Sequence, residues 1–256
     1  MSSEHRQTIL ELNNVGFRYD MSKPFIEHLS FSVGDGEYIG LLGANGSGKS
    51  TLLRLASGIL KPTEGRITLW GKQLSSYNNK DRAKLLSYLP QMLDVNVPFT
   101  VREIVSMGLY PYDIPPEMKI DDALEIVGLK EKAASTIATL SGGEKRRAFI
   151  AMTLLQGAGL LLLDEPLANL DIKYRIELQR LLKRLQETKN ISIIMALHDV
   201  NAAFQFEKVM LIKEGKILGI GKPEDILTAE LLQEAFDVPV ELQKTASGGT
   251  YIRYDV

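Results

Sequence analysis

The residues with the clearest chemistry are Gly43-Ala44-Asn45-Gly46-Ser47-Gly48-Lys49-Ser50-Thr51. They satisfy G-x-x-x-x-G-K-[ST], the pattern of a loop that wraps phosphate. Glycines let successive backbone N–H groups turn inward around an anion. A helix beginning there adds partial positive charge aimed at the same place. Lys49 is of a type and position to reach the β- and γ-phosphates of a nucleotide, and the Ser50 hydroxyl to bind Mg²⁺. A phosphate loop of this kind works with a metal carboxylate. Leu160-Leu161-Leu162-Leu163-Asp164-Glu165 offers one at the end of an apolar run. Asp164 is expected to hold Mg²⁺, directly or through water. Glu165 is placed to take a proton from an attacking water.

A second glycine-dressed helix start is Leu140-Ser141-Gly142-Gly143-Glu144. Ser141 and Glu144 make S-x-x-E, a capping box, so a helix should follow from Lys145. Most such sequences are only helix caps. A chain with one phosphate loop has no evident need of a second cradle, unless the second serves the nucleotide of another copy.

These groups need strands and helices to hold them. The apolar run Tyr38–Leu42 before the loop reads as a buried strand, and Leu52-Leu53-Arg54-Leu55-Ala56 as a helix stopped at Gly58. Residues 8–42 read as short strands, Thr8–Leu12, Val15–Tyr19, Leu29–Val33 and Tyr38–Leu42. Turns are expected at Asn13-Asn14, Ser22-Lys23-Pro24 and Gly34-Asp35-Gly36. Gly65–Trp70 is a further strand. Asn79–Leu86 reads as a helix and Ser87–Gln91 as a strand closed by Pro90. Thr100-Val101-Arg102-Glu103 is a capping box for a helix ending at Gly108, and Asp121–Val127 is a helix stopped at Gly128. Leu178, Leu181, Leu182 and Leu185 share one helix face. Ile191–Ala196 is a strand, with a short helix from Asp199. Val209–Lys213 and Lys216–Ile220 form a hairpin about Glu214-Gly215. A helix over Thr228–Phe236 and a strand near Val240 follow. Alternating strands and helices imply a mostly parallel α/β sheet with its ligand at the carboxyl ends of the strands.

The whole is expected to be one domain of 256 residues. A β subdomain and nucleotide core would occupy about 1–91 and 158–220, a helical insertion about 92–157 and a C-terminal extension about 221–256. Charged residues make up 24% and the net charge is -2, so bulk charge does not point to nucleic acid. The chain has no cysteine, which excludes disulfides and thiolate metal sites. Its longest apolar stretch, Ala148–Leu163, is broken by Thr153, Gln156, Gly157 and Gly159, so no membrane span is expected. The N-terminus leads into no long apolar run, so no signal peptide is expected either.

Over nearly its whole length the chain resembles the ATP-binding subunits of ABC transporters. The motifs carrying the resemblance are Gly43–Thr51, Leu140–Glu144 and Leu160–Glu165, with Ala168-Asn169-Leu170-Asp171 similar to the loop that crosses the dimer interface. Gln91 falls at the family's glutamine-containing loop and His198 at its switch histidine. Tyr19 looks like the aromatic that stacks on adenine, with Phe17 an alternative two residues earlier. Glu144 departs from the family's common glutamine, and it still caps the helix.

The resemblance implies a P-loop NTPase core with an antiparallel β subdomain and an inserted helical subdomain. It implies ATP and Mg²⁺ as ligands. Two copies would sandwich two ATP molecules, each between one copy's phosphate loop and the other's Ser141–Gly143. Gln91 and His198 would join Glu165 in catalysis, and Gln91 would join Ser50 and Asp164 at the metal. The expected partners are a second copy, integral membrane permease subunits and a substrate-binding protein, with no nucleic acid. The expected location is the cytoplasmic face of the membrane. The stretches Val101–Tyr112, Leu197–Ala203 and Gly221–Thr228 resemble importers of iron-siderophores, haem and cobalamin. Val95–Tyr112 is expected to dock on the membrane subunits, with Tyr110 and Tyr112 as exposed anchors. The alternative is a non-transport ABC ATPase acting on DNA or ribosomes. Such proteins usually carry long coiled-coil insertions or two ATPase halves, which this sequence lacks.

Overall fold

The structure, a computed structural model, describes residues 6–20, 23–91, 97–168, 170–244 and 248–254. It divides into two compact units, Met1–Ser75 with Ile194–Val256, and Ser76–Ile193. In chain order the first unit begins with β1 (Thr8–Phe17), β2 (Ile26–Gly34), β3 (Tyr38–Leu42), α1 (Lys49–Ala56), β4 (Glu64–Leu69) and β5 (Lys72–Gln73). The second unit holds α2 (Asn79–Leu85), β6 (Leu86–Leu89), α3 (Val101–Ser106), α4 (Ile120–Ile126), α5 (Gly142–Gln156), β7 (Leu160–Leu163) and α6 (Ile172–Lys189). Strand β8 (Ser192–Ala196) straddles the division. The chain then completes the first unit with β9 (Lys208–Lys213), β10 (Lys216–Gly221), α7 (Pro223–Ile226), α8 (Ala229–Phe236), β11 (Val240–Lys244) and β12 (Thr250–Tyr254).

In the first unit an antiparallel sheet runs in the order β2-β1-β4-β5. Leu10 pairs with Val33, Leu12 with Phe31 and Val15 with Leu29, so apolar side chains oppose one another across the ladder. The turn expected at Asn13-Asn14 is instead a bulge within one continuous strand. Asn14 takes φ 50, its N–H donates to Ser30 Oγ at 2.8 Å, and the register shifts between Leu12 and Val15. Asparagine tolerates that backbone in turns and bulges alike. The local signal was therefore right and its meaning different.

The same unit contains a second sheet segment, in which β3 runs parallel to β9 and β9 antiparallel to β10. All five residues of β3 and Val209–Ile212 of β9 are buried, as expected of strands covered on both faces. Glu214 (φ 46) and Gly215 (φ 75) turn β9 into β10, the two positive φ values of a tight hairpin turn. Only glycine fits at 215, because a Cβ would lie 1.9 Å from the Phe25 carbonyl oxygen. Helix α7 and strand β12 are elements the sequence reading did not anticipate. The helix expected from Asp199 is a 3₁₀ turn over Asn201–Gln205.

In the second unit β6 and β7 pair in parallel. Helix α3 buries Val101, Ile104 and Val105, α4 buries Ala123 and Leu124, and α5 buries Ala148, Ile150, Ala151, Leu154 and Leu155. Each large aliphatic side chain so buried contributes about 1.5–3 kcal/mol before cavity and entropy terms. On α6 Leu178, Leu181, Leu182 and Leu185 are buried, the face that their spacing indicated. No helix among the described residues is long and apolar enough to cross a membrane.

Candidate functional site

The loop after β3 and the start of α1 form one phosphate-binding half in the first unit. Gly48 caps α1, and Lys49 lies in its first turn, buried, with Nζ donating to the Gly43 carbonyl at 2.8 Å and to Ala44 at 3.2 Å. A Cβ on Gly43 would sit 2.3 Å from Ile212 O and 2.5 Å from Ser47 Oγ, so the loop closes only around glycine. Asn45 and Gly46 are exposed at its tip, and Ser50 is half-buried. The hairpin turn supports the loop from behind, Gly215 N–H donating to Ser47 O at 2.8 Å. Ser47 Oγ is buried and has no hydrogen-bond partner within the described protein. A buried hydroxyl in that condition is costly unless a polar ligand meets it. The loop's donors, its buried ammonium and this hydroxyl fit an anionic ligand.

Tyr19 lies just beyond β1, 57% exposed. Its hydroxyl is 2.8 Å from Thr51 Oγ1, which ties the ring to α1. The rings of Phe17 and Phe25 meet it edge-on at 4.8 and 5.2 Å. Phe17 itself is buried. His198 follows β8 and is exposed; the preceding Leu197 N–H donates to Leu41 O at 2.9 Å, which fixes where that strand ends.

The second unit carries the carboxylates. Strand β7 is wholly buried and delivers Asp164 and Glu165, both buried, at its carboxyl end. The Tyr88 hydroxyl donates to Asp164 Oδ2 at 3.1 Å, and Asp164 N–H donates to Leu89 O at 2.9 Å. Glu165 holds φ 50, a backbone conformation uncommon for a residue with a Cβ. The Gln91 side-chain amide donates to the Glu165 carboxylate. Arg146, also buried, donates through Nη1 to Glu165 O at 2.6 Å and through Nη2 to Gln91 O at 2.5 Å. Burial pulls its guanidinium below the ordinary value, against the pull of the Glu165 and Asp164 carboxylates.

At the start of α5 the capping box is complete. Ser141 Oγ accepts from Glu144 N–H at 3.4 Å, and Ser141 N–H donates to the Glu144 carboxylate at 3.1 Å. Lys132 also bonds Glu144 and, as the largest influence, holds its carboxyl below the usual range. Ser141 and Gly142 are exposed, and Gly143 packs beside Leu170 and Tyr174. Asp171 caps α6 by position only; it is exposed and its side chain makes no capping bond.

Within the first unit the structure thus brings Tyr19 to Thr51, and within the second Gln91 to Glu165. Asn169 and Val95 lie outside the described residues. Tyr110 is 78% exposed. Tyr112 corrects the expectation of a second exposed anchor. It is half-buried, and its hydroxyl donates to Gln156 O at 2.7 Å. Pro111 between them is buried.

Sequence reasoning missed Tyr88 and Arg146. In Lys145-Arg146-Arg147 one basic residue looks like its neighbours. The available signal was periodicity, since Arg146 precedes Ile150, Thr153 and Leu154 by four, seven and eight residues on the buried face.

Residues 26–168, more than half of the chain, match the family model described as ABC transporter. The hemin import ATP-binding protein HmuV of Rhodopseudomonas palustris (strain HaA2) is 38% identical over 96% of this chain and 97% of its own length. The petrobactin import ATP-binding protein FpuC of Bacillus anthracis is 40% identical over 85% and 83%. The ferric enterobactin transport ATP-binding protein FepC of Escherichia coli (strain K12) is 35% identical over 82% and 80%. Among solved structures, an inward-facing metal-chelate-type ABC transporter superimposes with TM-score 0.80 at 26% identity, covering 97% of each chain. A dimeric post-hydrolysis ATP-binding cassette holding ADP and phosphate gives TM-score 0.75 at 25% identity, covering 84% of this chain and 99% of that one. With the phosphate loop, the carboxylate pair and the capped glycine turn in place on this fold, the chain belongs to the ATP-binding subunits of ABC transporters, and it is an ATPase.

Proposed function

We infer that the protein powers a multi-subunit importer of a metal chelate, of the iron-siderophore, haem or cobalamin class. It would act as a homodimer at the cytoplasmic face of the membrane, with permease subunits and a substrate-binding protein. The observation that carries the catalytic part is the buried Asp164-Glu165 pair at the end of β7, with Gln91 bonded to the Glu165 carboxylate. The class of cargo rests on likeness to import subunits for hemin, petrobactin and enterobactin.

Each group has a role. Lys49, the loop N–H groups and Ser47 bind and orient the phosphates, and Tyr19 offers an exposed ring to the base. Glu165 takes the proton of the attacking water, Gln91 holds that carboxylate, and His198 contacts the γ-phosphate. Ser141–Gly143 and Asp171 act on the nucleotide of the other copy. Ser50, Asp164 and Gln91 would hold Mg²⁺. Among the described residues no cluster of three or more His, Asp or Glu could hold a metal alone. One carboxylate, one hydroxyl and one amide leave positions for phosphate oxygens and water, which suits Mg²⁺. The metal would neutralise charge developing on the phosphate oxygens.

The test is reconstitution in vesicles with its permease subunits. Uptake of a ferric siderophore, haem or cobalamin, with ATP turnover raised by the loaded binding protein, is expected. Purification with nucleic acid or ribosomes, and no permease association, would point to the non-transport alternative.

A further inference from the structure

Arg146 has no place in the scheme above, yet it is a buried charge of the second unit. Its guanidinium is buried and spends both terminal nitrogens on main-chain carbonyls, those of Gln91 and Glu165. These two residues are distant in sequence and already joined by the Gln91 amide on the Glu165 carboxylate. The guanidinium therefore closes a ring whose members are the α5 backbone, the chain after β6 and the chain after β7. A planar fork with fixed donor directions holds two carbonyls at a set separation, which a single ammonium cannot do. The Glu165 carbonyl also accepts from Ala168 N–H at 3.1 Å, so the φ 50 backbone at Glu165 is gripped from two sides. Arg146 sits one turn into α5, whose N-cap is Ser141. A shift of the Ser141–Gly143 end is carried by this short rigid arm to the main chain beneath Gln91 and Glu165.

We propose that Arg146 is a positioning residue: it fixes Gln91 and Glu165 to helix α5, so that the placement of the general base depends on the position of the helix that bears Ser141–Gly143. Arg146 touches no reacting atom. The inference rests on the reading of Glu165 as the base that activates water. It adds a link by which the glycine-rich helix end and the carboxylate of one copy move as one body.

The experiment compares Arg146→Met, which keeps an unbranched apolar stem but removes both donors, with Arg146→Lys, which keeps charge and one donor centre. Full-length proteins are assayed for kcat, for equilibrium affinity of ATP and for melting temperature, with Lys49→Ala beside them. Misplacing a reacting group by about 1 Å costs up to roughly 10²-fold in rate. Arg146→Met should accordingly lose roughly 10- to 100-fold in kcat while ATP affinity stays within about threefold, and Arg146→Lys should fall between it and the wild type. A wild-type kcat in Arg146→Met overturns the proposal. So does a loss of kcat that tracks loss of melting temperature and ATP affinity, because that is a folding role. If Arg146→Met does not fold, Arg146→Lys decides: a lowered kcat at unchanged affinity supports the proposal and an unchanged kcat overturns it. Lys49→Ala separates the two levels. If that variant also turns over normally, the assignment of the ATP site has failed, whereas an inactive Lys49→Ala beside a fully active Arg146→Met sinks only the role of Arg146.

Discussion

The Gln91 side-chain amide donates to the Glu165 carboxylate although 74 residues separate them, and both residues also give their main-chain carbonyls to Arg146. Glu165 is thereby aimed by its neighbours and not by its own rotamer alone. If it is the base, Glu165→Gln should keep ATP binding and lose roughly 10²–10⁴-fold in hydrolysis. Sedimentation of that variant with ATP should show a dimer that retains nucleotide. A monomer hydrolysing at the wild-type rate would contradict both roles.

Lys49 is buried with its ammonium on the Gly43 and Ala44 carbonyls, so it is held at the phosphate loop in advance of any ligand. Lys49→Ala should abolish tight ATP binding or turnover, because the cation aimed at the β- and γ-phosphates is gone. Equilibrium nucleotide binding and steady-state hydrolysis measure this. Normal values in both would remove the phosphate-loop assignment.

How much of this was legible beforehand depends on whether the signal was local. The phosphate loop, the boxes Thr100–Glu103 and Ser141–Glu144, and the Glu214-Gly215 turn are written in adjacent residues, and each forms where its own chemistry requires. The Asn13-Asn14 pair was legible as a backbone irregularity but not as a bulge, because only the partner strand's Ser30 shows that the ladder continues. Strand β12 was missed since its pairing with β11 is a property of the hairpin, and Ile252 is further fastened by the Asn201 amide from a different part of the chain. Arg146 was hidden for the same reason. Its partners are carbonyls at positions 91 and 165, and no pattern near position 146 names them.

The two tyrosines of the expected docking segment now separate into different experiments. Tyr110 is exposed, with Lys80 Nζ 5.7 Å from its ring centre. Tyr110→Asp should leave folding within about ±0.5 kcal/mol, as for surface substitutions, and weaken assembly with the permease. Tyr112 is raised in pKa by burial and bonds Gln156 O. Tyr112→Phe should cost about 1 kcal/mol of stability through the lost hydrogen bond and leave assembly intact. Thermal denaturation and co-purification with the permease measure both. Unchanged assembly and transport in Tyr110→Asp would place the docking surface elsewhere.

The central claim is that each ATP is hydrolysed by the phosphate loop of one copy and the Ser141–Gly143 turn of the other. Lys49→Ala and Ser141→Arg subunits should each be inactive alone. Mixed, they form heterodimers in which the intact loop of the Ser141→Arg copy faces the intact turn of the Lys49→Ala copy, giving one composite site. The decisive measurement is the ATPase rate of heterodimers purified through two different affinity tags. Recovery to about half the wild-type rate per dimer is predicted, since one site of two is whole. Purified heterodimers as inactive as either parent would contradict the shared-site account.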